Sequence, residues 1–471
     1  MAPLPCSCSK PHIVLFPFMA KGHTIPLLHL AQLLLDRSVD ITIFTTPANH
    51  PFISQSLPRS NVSIVDLPFP HNIQDLPQGA ESTDKLPSMS MFLSFVRCLK
   101  LMQPAFEQEL QKLHPHVSCI ISDGFLHWTL ESATRFGIPR LSFFGMNYYA
   151  SVVSRDAGAN GLLSLHESDD EPFTLTEFPW IQLTRNDFDD PFNKRDPRGP
   201  HLDFIFESIT ATANSYGLLV NTFYELEQLY ADHYNREFGP RTWSIGPLCL
   251  AKLQKTKLSP DNMKPRWMHW LDQKLAEGCP LLYVAFGSQA RISPAQMCEI
   301  ALGLEEAEVS FLWVVKKSDM ELLSDGFESR VRERGIIVRE WVDQEEILEH
   351  PIVQGFLSHC GWNSVLEGIC AGVPILAWPM MAEQYLNAKL VVEEIKVGLR
   401  VKTVDGTSKG FVAADSLSSA VREVMGNEKG KELREKAKEV AEAAKKATRE
   451  GGSSWNALNN LITEIQSGKG N

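Results

Sequence analysis

The stretch GFLSHCGWNSVLEGICAGVPILAWPMMAEQ, residues 355–384, contains the alternation of elements that decides the fold. Residues 355–358 form an apolar run typical of a buried strand, and residues 365–371 have the spacing of a helix that ends at Gly372. Residues 374–378 form a second short apolar run and predict the next strand. A strand, a helix and a further strand in this order are the unit from which parallel sheets are built.

The same alternation extends along the whole chain. In the first half the predicted strands are residues 13–18, 41–45, 62–67, 119–123, 141–145 and 218–223, and the predicted helices include 26–35, 89–113 and 129–136. In the second half the predicted strands are residues 281–288, 311–315, 336–341, 355–358, 374–378 and 399–402. The pattern predicts an α/β protein with two doubly wound domains that face each other across a cleft. Ligands of such sheets bind beyond the carboxyl ends of the strands.

Residues 248–266 are rich in Pro, Lys and Ser and interrupt the alternation. We take them as a linker between an N-terminal domain, residues 1–247, and a C-terminal domain, residues 267–452. We expect the last helix, residues 453–467, to pack back on the N-terminal domain. A chain of 471 residues is too long for one ordinary core, which agrees with this division.

Composition excludes several classes of protein. The formal net charge of −12 argues against a nucleic-acid partner. The nine cysteines are scattered without paired zinc spacing and indicate reduced thiols of an intracellular protein. No uninterrupted apolar run reaches the roughly 18 residues of a membrane span. We therefore expect a cytoplasmic protein.

The turn His359–Ser364 lies between the strand and the helix of the opening stretch. The first N–H groups of a helix have no partner within it and, with the positive end of the helix dipole, bind anions. Asn363, Ser364 and His359 add side-chain donors, so a diphosphate fits. The alternative is that Asn363 or Ser364 merely caps the helix.

Nucleophilic catalysis by Ser358, His359 and Cys360 is disfavoured. Adjacent residues of an extended chain point in opposite directions and cannot form a relay. The flanking residues also lack the G-x-S-x-G elbow.

At this point the sequence resembles a known family. Residues 341–384 begin with WVDQEEILEHP, continue through HCGWNS and end in AEQ. This stretch closely resembles the signature box of plant family 1 UDP-sugar-dependent glycosyltransferases. FPFMAKGHTIP near the start and YVAFGS at residues 283–288 are also similar to that family, so the resemblance covers nearly the full length. It implies the GT-B architecture, with two Rossmann-like domains and the donor held mainly by the C-terminal one.

The resemblance also implies roles for individual residues of the C-terminal half. Trp341 would stack on the uracil, with Val342 contacting the base edge, and Gln344 and Glu367 would bind the ribose. The implied diphosphate contacts are Ser288, His359, Gly361, Asn363 and Ser364. The implied sugar contacts are Trp362, Glu383 and Gln384.

The final glutamine of the box, Gln384, is the form usually seen in glucose-transferring members. UDP-glucose is therefore the expected donor cosubstrate, with no permanently bound cofactor. Two departures from the family pattern are mild: Val342-Asp343 stands where many members have Ala-Pro, and Glu383 stands where Asp is frequent.

His23 and Asp123 are the candidate catalytic residues. His23 follows the first predicted strand and precedes a helix expected to begin near Pro26, and Asp123 closes the strand CIISD. An unperturbed imidazole titrates near ~6.5 and can accept a proton at neutral pH. A carboxylate on the far ring nitrogen would fix the tautomer and stabilise the imidazolium. Both positions match the family's catalytic His and supporting Asp.

Asp187-Phe188-Asp189-Asp190 contains the D-x-D pattern that holds metal ions in other glycosyltransferases. It follows polar residues in what we interpret as a solvated acidic turn, and the anion site already accounts for the diphosphate. We therefore expect no metal and activity that EDTA does not affect.

The acceptor is expected to bind to the N-terminal half. The candidate lining residues are apolar and lie on or near strand ends and long helices: Phe18, Met89, Phe92, Phe125, Trp128, Phe143, Phe144, Met146, Phe192 and Phe204. A broad apolar cleft suits flavonoids, other phenolics or terpenoids.

The predicted reaction is inverting transfer of a sugar, expected to be glucose, to a hydroxyl group or an aromatic carbon of a small plant metabolite. The alternatives are a UDP-sugar epimerase of the same architecture and a non-catalytic binder of UDP-sugars or small molecules. A dinucleotide oxidoreductase is disfavoured because no G-x-G-x-x-G follows the first strand. We expect a monomer with no nucleic-acid or membrane partner.

Overall fold

The computed structural model describes residues 10–57, 62–165, 167–251, 253, 264–316, 326–426 and 428–467. The chain forms two compact units. The first comprises residues 1–145, 198–259 and 447–471, and the second comprises residues 146–197 and 260–446.

The first unit is built on a seven-stranded parallel sheet. From one edge to the other its strands are Val62–Asp66, Asp40–Thr45, His12–Phe16, Cys119–Asp123, Arg140–Phe144, Gly217–Val220 and Thr242–Ser244. The central strands are buried on both faces, which explains their nearly continuous apolar sequence.

Helices cover both faces of this sheet. They are Lys21–Leu35, His50–Ser56, Phe92–Cys98, Gln103–Lys112, Thr129–Arg135, Pro200–Ala213, Tyr224–Glu237 and Ser453–Gln466. Side chains of one strand alternate between two cores: Ile13 and Leu15 pack with the C-terminal helix, whereas Val14 and Phe16 pack with residues of the other face.

The second unit contains a six-stranded parallel sheet. Its strands, from edge to edge, are Gly335–Val338, Ser310–Val314, Leu281–Ala285, Val353–Ser358, Ile375–Ala377 and Gly398–Arg400. The helices between and after these strands are Arg266–Glu277, Pro294–Glu306, Phe327–Val331, Gln344–Leu348, Trp362–Ala371, Gln384–Lys389, Ala414–Met425 and Lys429–Thr448.

Residues 146–197 belong to the second unit although they precede the predicted linker. This segment contains the helices Tyr148–Ala159 and Leu162–Leu165 and a short hairpin, Phe173–Thr174 with Gln182–Leu183. The predicted domain boundary at residue 247 assigns this segment to the N-terminal domain. Hydrophobic periodicity predicts helices and strands, but it does not show which unit they pack against. Most of the predicted linker, including residues 254–263, lies outside the described residues.

The predicted strands all occur, with ends that differ by a few residues, and the structure adds the edge strand Thr242–Ser244. The first helix begins at Lys21 rather than near Pro26, so Pro26 lies inside it. Leu27, Leu28 and Leu30 of this helix are buried, and that packing outweighs the hydrogen bond that proline cannot donate. In the part of the chain that is described, no helix has the length and apolar character needed to span a membrane.

Candidate active site

His23 and Asp123 meet at the carboxyl edge of the first unit's sheet. His23 is the third residue of its helix, and Asp123 is the last residue of its strand. The Nδ1 of His23 lies 2.8 Å from Oδ2 of Asp123. Because an ionised carboxylate only accepts, Nδ1 carries the proton and Nε2 carries the lone pair. The His23 side chain is 24% exposed and that of Asp123 only 3%. This is the geometry of a general base oriented by a carboxylate.

Further hydrogen bonds fix Asp123. Its Oδ1 accepts the N–H of Phe125 at 2.9 Å, and its carbonyl accepts from the guanidinium of Arg140 at 3.3 Å. Arg140 is buried and also donates to Ser122 and Ser215 at 2.8 and 2.7 Å. Burial lowers the pKa of Arg140 to about 10, with the charge of Asp123 opposing the shift. The guanidinium thus stays charged at neutral pH and offsets the buried carboxylate.

Aromatic rings surround His23 within the first unit. The ring centroids of Phe18 and Phe125 lie 5.1 and 5.2 Å from that of His23. Phe92 and Phe204 lie 5.9 and 5.6 Å from Phe125. Four of the predicted lining residues therefore form one apolar wall beside the candidate base.

Phe144 extends this wall. Its ring lies 5.8 Å from Phe125 and against Gly124, where a Cβ would come within 2.1 Å of the ring. Any side chain larger than glycine at position 124 would displace Phe144.

Other predicted lining residues lie elsewhere. Phe143 is fully buried in the core on the opposite face of the sheet, because neighbouring strand residues alternate in direction. Trp128 is a core residue with its edge against Phe16. Phe192 and Met146 belong to the second unit, and Met89 lies in a 3₁₀ turn that leads into Phe92.

In the second unit the strand Val353–Ser358 leads through a tight turn into the helix Trp362–Ala371. The N-cap residue is Gly361, which has no side chain to fill the helix end. Ser364 is not a simple cap, since its Oγ accepts a hydrogen bond from the side chain of Gln344 at 2.8 Å. The helix N-terminus therefore keeps the features of an anion site.

The ring of His359 lies against two glycines of this region. A Cβ atom added to Gly287 would lie 2.6 Å from His359 Nε2, and a Cβ atom added to Gly361 would lie at the same distance. Gly287 has φ +72°, in the left-handed region that favours glycine. Burial lowers the pKa of His359 to about 4, assisted by the charge of Lys316. His359 is therefore expected to be neutral at pH 7, so it could bind a diphosphate oxygen only by donating its single ring N–H.

Gln344 connects the predicted ribose residues. Its Oε1 accepts from the hydroxyl of Tyr283 at 3.1 Å, and its Nε2 donates to Ser364 and to Glu367. Both amide hydrogens are thus used within the protein, so Gln344 orients Glu367. Burial raises the pKa of Glu367 to about 7, the hydrogen bond from Gln344 opposes the shift, and the charge of Asp343 adds to it.

Three of the remaining predicted donor residues lie on loops that follow strands, and Trp362 is the first residue of the helix Trp362–Ala371. Trp341 follows the strand Gly335–Val338 and is 64% exposed, which is unusual for an indole. Val342 is buried beside it, and Ser288 is exposed in the turn after Leu281–Ala285. Trp362 is buried, with 2% exposure.

Glu383 and Gln384 lie at the start of the helix Gln384–Lys389. Gln384 Oε1 accepts the N–H groups of Met380 and Met381 at 3.0 and 3.1 Å. The same side chain therefore shapes the turn before it.

The acidic stretch Asp187–Asp190 is only partly the solvated turn that the sequence predicts, since Asp190 is exposed and Asp187 is buried. Asp187 is 6% exposed and its Oδ2 accepts from the N–H of Thr184 at 2.8 Å, and Asp189 accepts the N–H of Ala382 at 2.5 Å. These carboxylates are used as hydrogen-bond acceptors for the protein. In the described ranges, no three His, Cys, Asp or Glu side chains gather in a way that would hold a metal ion.

Sequence reasoning missed a buried amide relay in the second unit. Asn147 Nδ2 donates to Asn387 Oδ1 at 2.8 Å, and Asn387 Nδ2 donates to the carbonyl of Cys360 at 3.0 Å. Cys360 has φ +61°, a conformation that costs a non-glycine residue of order 1–2 kcal/mol. The relay holds the turn before the helix Trp362–Ala371. Asn387 lies three residues beyond the end of the signature box at Gln384, and no motif in the sequence marks it or Asn147.

Two parallel-sheet α/β units, one with a His–Asp pair at the carboxyl edge of its sheet and the other with a glycine-capped helix after a buried strand, are typical of the GT-B fold. Residues 263–436 match the family model described as UDP-glucoronosyl and UDP-glucosyl transferase. The chain is 51% identical to UDP-glycosyltransferase 90A1 of Arabidopsis thaliana, over 96% of each chain. It is 36% identical to UDP-glucose flavonoid 3-O-glucosyltransferase 7 of Fragaria ananassa, over 98% of this chain and 97% of the relative.

Among solved structures, the chain is similar to UGT73P12 of Glycyrrhiza uralensis complexed with glycyrrhetinic acid 3-O-monoglucuronide. The TM-score is 0.86 at 30% identity, over 98% of this chain and 96% of that one. The protein belongs to the plant family 1 UDP-glycosyltransferases, enzymes that use a UDP-sugar donor and a small-molecule acceptor. The predicted family and the predicted GT-B fold class are confirmed.

Proposed function

We propose that this enzyme transfers glucose from UDP-glucose to a hydroxyl group of an apolar plant metabolite, with inversion at the anomeric carbon and with His23 as general base. The observation that carries the proposal is the 2.8 Å hydrogen bond between His23 Nδ1 and Asp123 Oδ2. It leaves the proton-accepting electron pair on Nε2, on a ring that is partly exposed beside an apolar wall.

In the proposed reaction the acceptor hydroxyl gives its proton to Nε2 of His23. The acceptor oxygen forms a bond to the anomeric carbon as the bond from that carbon to the diphosphate breaks, and the electron pair leaves with UDP. Asp123 stabilises the imidazolium that forms. Attack opposite the leaving group converts an α-linked donor into a β-glucoside.

On the donor side, the helix N-terminus at Gly361 and the neighbouring Asn363 and His359 would bind the diphosphate. Trp341 would stack on the uracil, since an indole that is 64% exposed offers a face to a flat ring. Glu367, oriented by Gln344, would accept hydrogen bonds from the ribose hydroxyls. Glu383 and Gln384 would contact the sugar.

The acceptor class follows from the wall beside His23. Phe92, Phe125 and Phe144 are partly exposed and offer aromatic surface, whereas Phe18 and Phe204 are buried behind them. A partly exposed aromatic surface suits a flat phenolic acceptor such as a flavonoid. A relative that is 36% identical is a flavonoid 3-O-glucosyltransferase. Cys98, Cys119, Cys279 and Cys360 are free thiols, which supports our proposal of a cytoplasmic enzyme. We also propose a monomer, to be tested by light scattering.

The direct test is incubation with UDP-glucose and a panel of flavonoids, other phenolics and terpenoids, followed by mass spectrometry and NMR of the products. A β-O-glucoside supports the proposal. A C-glucoside would show that an aromatic carbon of the acceptor attacks the sugar. An epimerised UDP-sugar formed without acceptor would show that the enzyme is an epimerase and not a transferase. An α-glucoside would contradict single displacement. Addition of EDTA is expected to leave the rate unchanged.

A further inference from the structure

A side chain of the segment 146–197 bonds to the loop that precedes Glu383 and Gln384, the proposed sugar contacts. We call Asp187–Asp190 the acidic strap and Met380–Glu383 the sugar turn. Asp189 Oδ2 of the strap accepts a hydrogen bond from the N–H of Ala382 in the turn at 2.5 Å. Ala382 has φ +54°, in the left-handed region, so this N–H is presented by a strained backbone.

Three successive N–H groups of the sugar turn have side-chain acceptors. Those of Met380 and Met381 are bonded to Oε1 of Gln384, and that of Ala382 is bonded to Asp189. The hydroxyl of Tyr385 donates to the carbonyl of Met380 at 2.9 Å. Two of these supports come from the helix that follows the turn, whereas Asp189 supports it from a distant part of the sequence.

The strap is itself anchored in the second unit. Ser408 Oγ donates to Asp187 Oδ1 at 2.8 Å, and Lys409 Nζ donates to the carbonyl of Phe188. Lys409 Nζ also lies 3.8 Å from Asp189 Oδ1 and 4.9 Å from the ring centroid of Tyr385. The cation therefore contacts both the strap and the helix beyond the sugar turn.

We infer that Asp189 is a positioning residue for the donor sugar: by holding the Ala382 N–H it sets the backbone from which Glu383 and Gln384 reach the sugar hydroxyls. The inference rests on the proposed role of Glu383 and Gln384 as sugar contacts. Asp189 belongs to the acidic strap and bonds to the sugar turn. We therefore expect its effect on the part of the donor beyond the diphosphate.

The test compares two ligands of the full-length enzyme. UDP-glucose contains the sugar, whereas UDP, used as a competitive inhibitor, does not. Asp189→Ala is expected to raise KM for UDP-glucose about tenfold with Ki for UDP within about twofold of wild type, and to reduce the preference for UDP-glucose over UDP-galactose. Asp189→Asn keeps an oxygen acceptor for the Ala382 N–H and is expected to restore most of the affinity.

Asp190→Asn is the matched control, since it removes the same charge one residue further on, from a side chain paired with Lys194. Its kinetics are expected to match wild type. An unchanged KM for UDP-glucose in Asp189→Ala, or an equal rise in Ki for UDP, would overturn the inference. If Asp189→Ala does not fold, Lys409→Met provides the test, with a smaller rise in KM expected and an unchanged KM contradicting the inference.

The variant Gln384→Ala distinguishes a failure of this inference from a failure of the proposed function. A rise in KM for UDP-glucose in Gln384→Ala without one in Asp189→Ala would remove the positioning role only. An unchanged KM in Gln384→Ala would show that the assigned sugar contacts are wrong.

Discussion

The side-chain amide of Asn147 donates a hydrogen bond to Oδ1 of Asn387 at 2.8 Å, and both side chains are fully buried. Asn387 in turn holds the carbonyl of Cys360, whose left-handed backbone forms the turn before the helix Trp362–Ala371. A buried pair thus connects the segment 146–197 to the turn that we propose binds the diphosphate.

Asn147→Leu should weaken UDP binding. The substitution leaves the buried Oδ1 of Asn387 without its donor, at a cost of about 1–3 kcal/mol, and loosens the turn at Cys360. Calorimetry should show a higher Kd for UDP, and thermal unfolding a lower Tm. Asn160→Ala, at the exposed end of the same helix, is the control and should match wild type. Unchanged UDP affinity in Asn147→Leu would show that the relay does not support the site.

Trp341→Ala should reduce affinity for UDP and UDP-glucose equally, by about 1–3 kcal/mol, because a base loses its stacking partner. The control is Trp180→Ala, since Trp180 is another exposed indole of the second unit, at 54% exposure, and bonds to Glu394. Equal losses in both variants would point to a general effect and against stacking at Trp341.

Glu367 gives a pH dependence with a definite sign. Its folded-state pKa of about 7 lies above the unfolded value near ~4.3, so the folded protein binds the proton more tightly. The destabilisation from this group is absent below pH ~4, develops between about pH 4 and 7, and is complete above pH 7. Glu367→Gln should therefore raise the free energy of unfolding at pH 8, by about 1–3 kcal/mol, and change it little at pH 4.

The same carboxyl group links UDP affinity to pH. Ribose hydroxyls donate to the ionised form, so wild-type affinity for UDP should fall as the pH drops below 7, and UDP binding should release protons. Glu367→Gln should bind UDP more weakly than wild type above pH 7, with a flatter profile. Calorimetry in two buffers of different ionisation enthalpy measures the released protons, and the same release in wild type and variant would contradict the assignment.

Asp123→Asn should lower kcat by about 10²–10⁴-fold with little change in KM for UDP-glucose, because the imidazolium loses its counter-charge and the tautomer is no longer fixed. The protein offers a matched pair: His50 Nδ1 lies 2.8 Å from Asp66 Oδ1, with both side chains more than a third exposed. Asp66→Asn should keep wild-type kcat. A kcat within a fewfold of wild type in Asp123→Asn would remove Asp123 from the mechanism.

The sequence predicts those features of the fold and of the candidate site whose physical signal lies in neighbouring residues. Continuous apolar runs predict the parallel strands because both faces of the sheets are buried, and the Gly361 turn is recognisable from the strand and helix on either side. The resemblance supplies His23, Asp123 and the donor residues by position, and the structure brings the first two into contact.

Other features depend on tertiary contacts that leave no periodic trace. Phe143 and Phe144 are both apolar, and only the strand register shows that Phe144 joins the wall beside His23. Asp189 belongs to a polar stretch typical of a solvated turn, yet it bonds to a residue 193 positions away. Asn147 and Arg140 are polar residues that are buried in the fold. Their burial is possible because they form hydrogen bonds with residues from other parts of the sequence, which the local pattern does not reveal.

The central claim is that His23 takes the proton from the acceptor. The measurement that tests it most directly is single-turnover transfer from UDP-glucose by His23→Ala, with UDP affinity measured on the same preparation and His50→Ala as control. We predict a rate about 10²–10⁴-fold below wild type, unchanged UDP affinity, and wild-type behaviour of the control. A His23→Ala enzyme that binds UDP normally and transfers glucose at close to the wild-type rate would contradict the account.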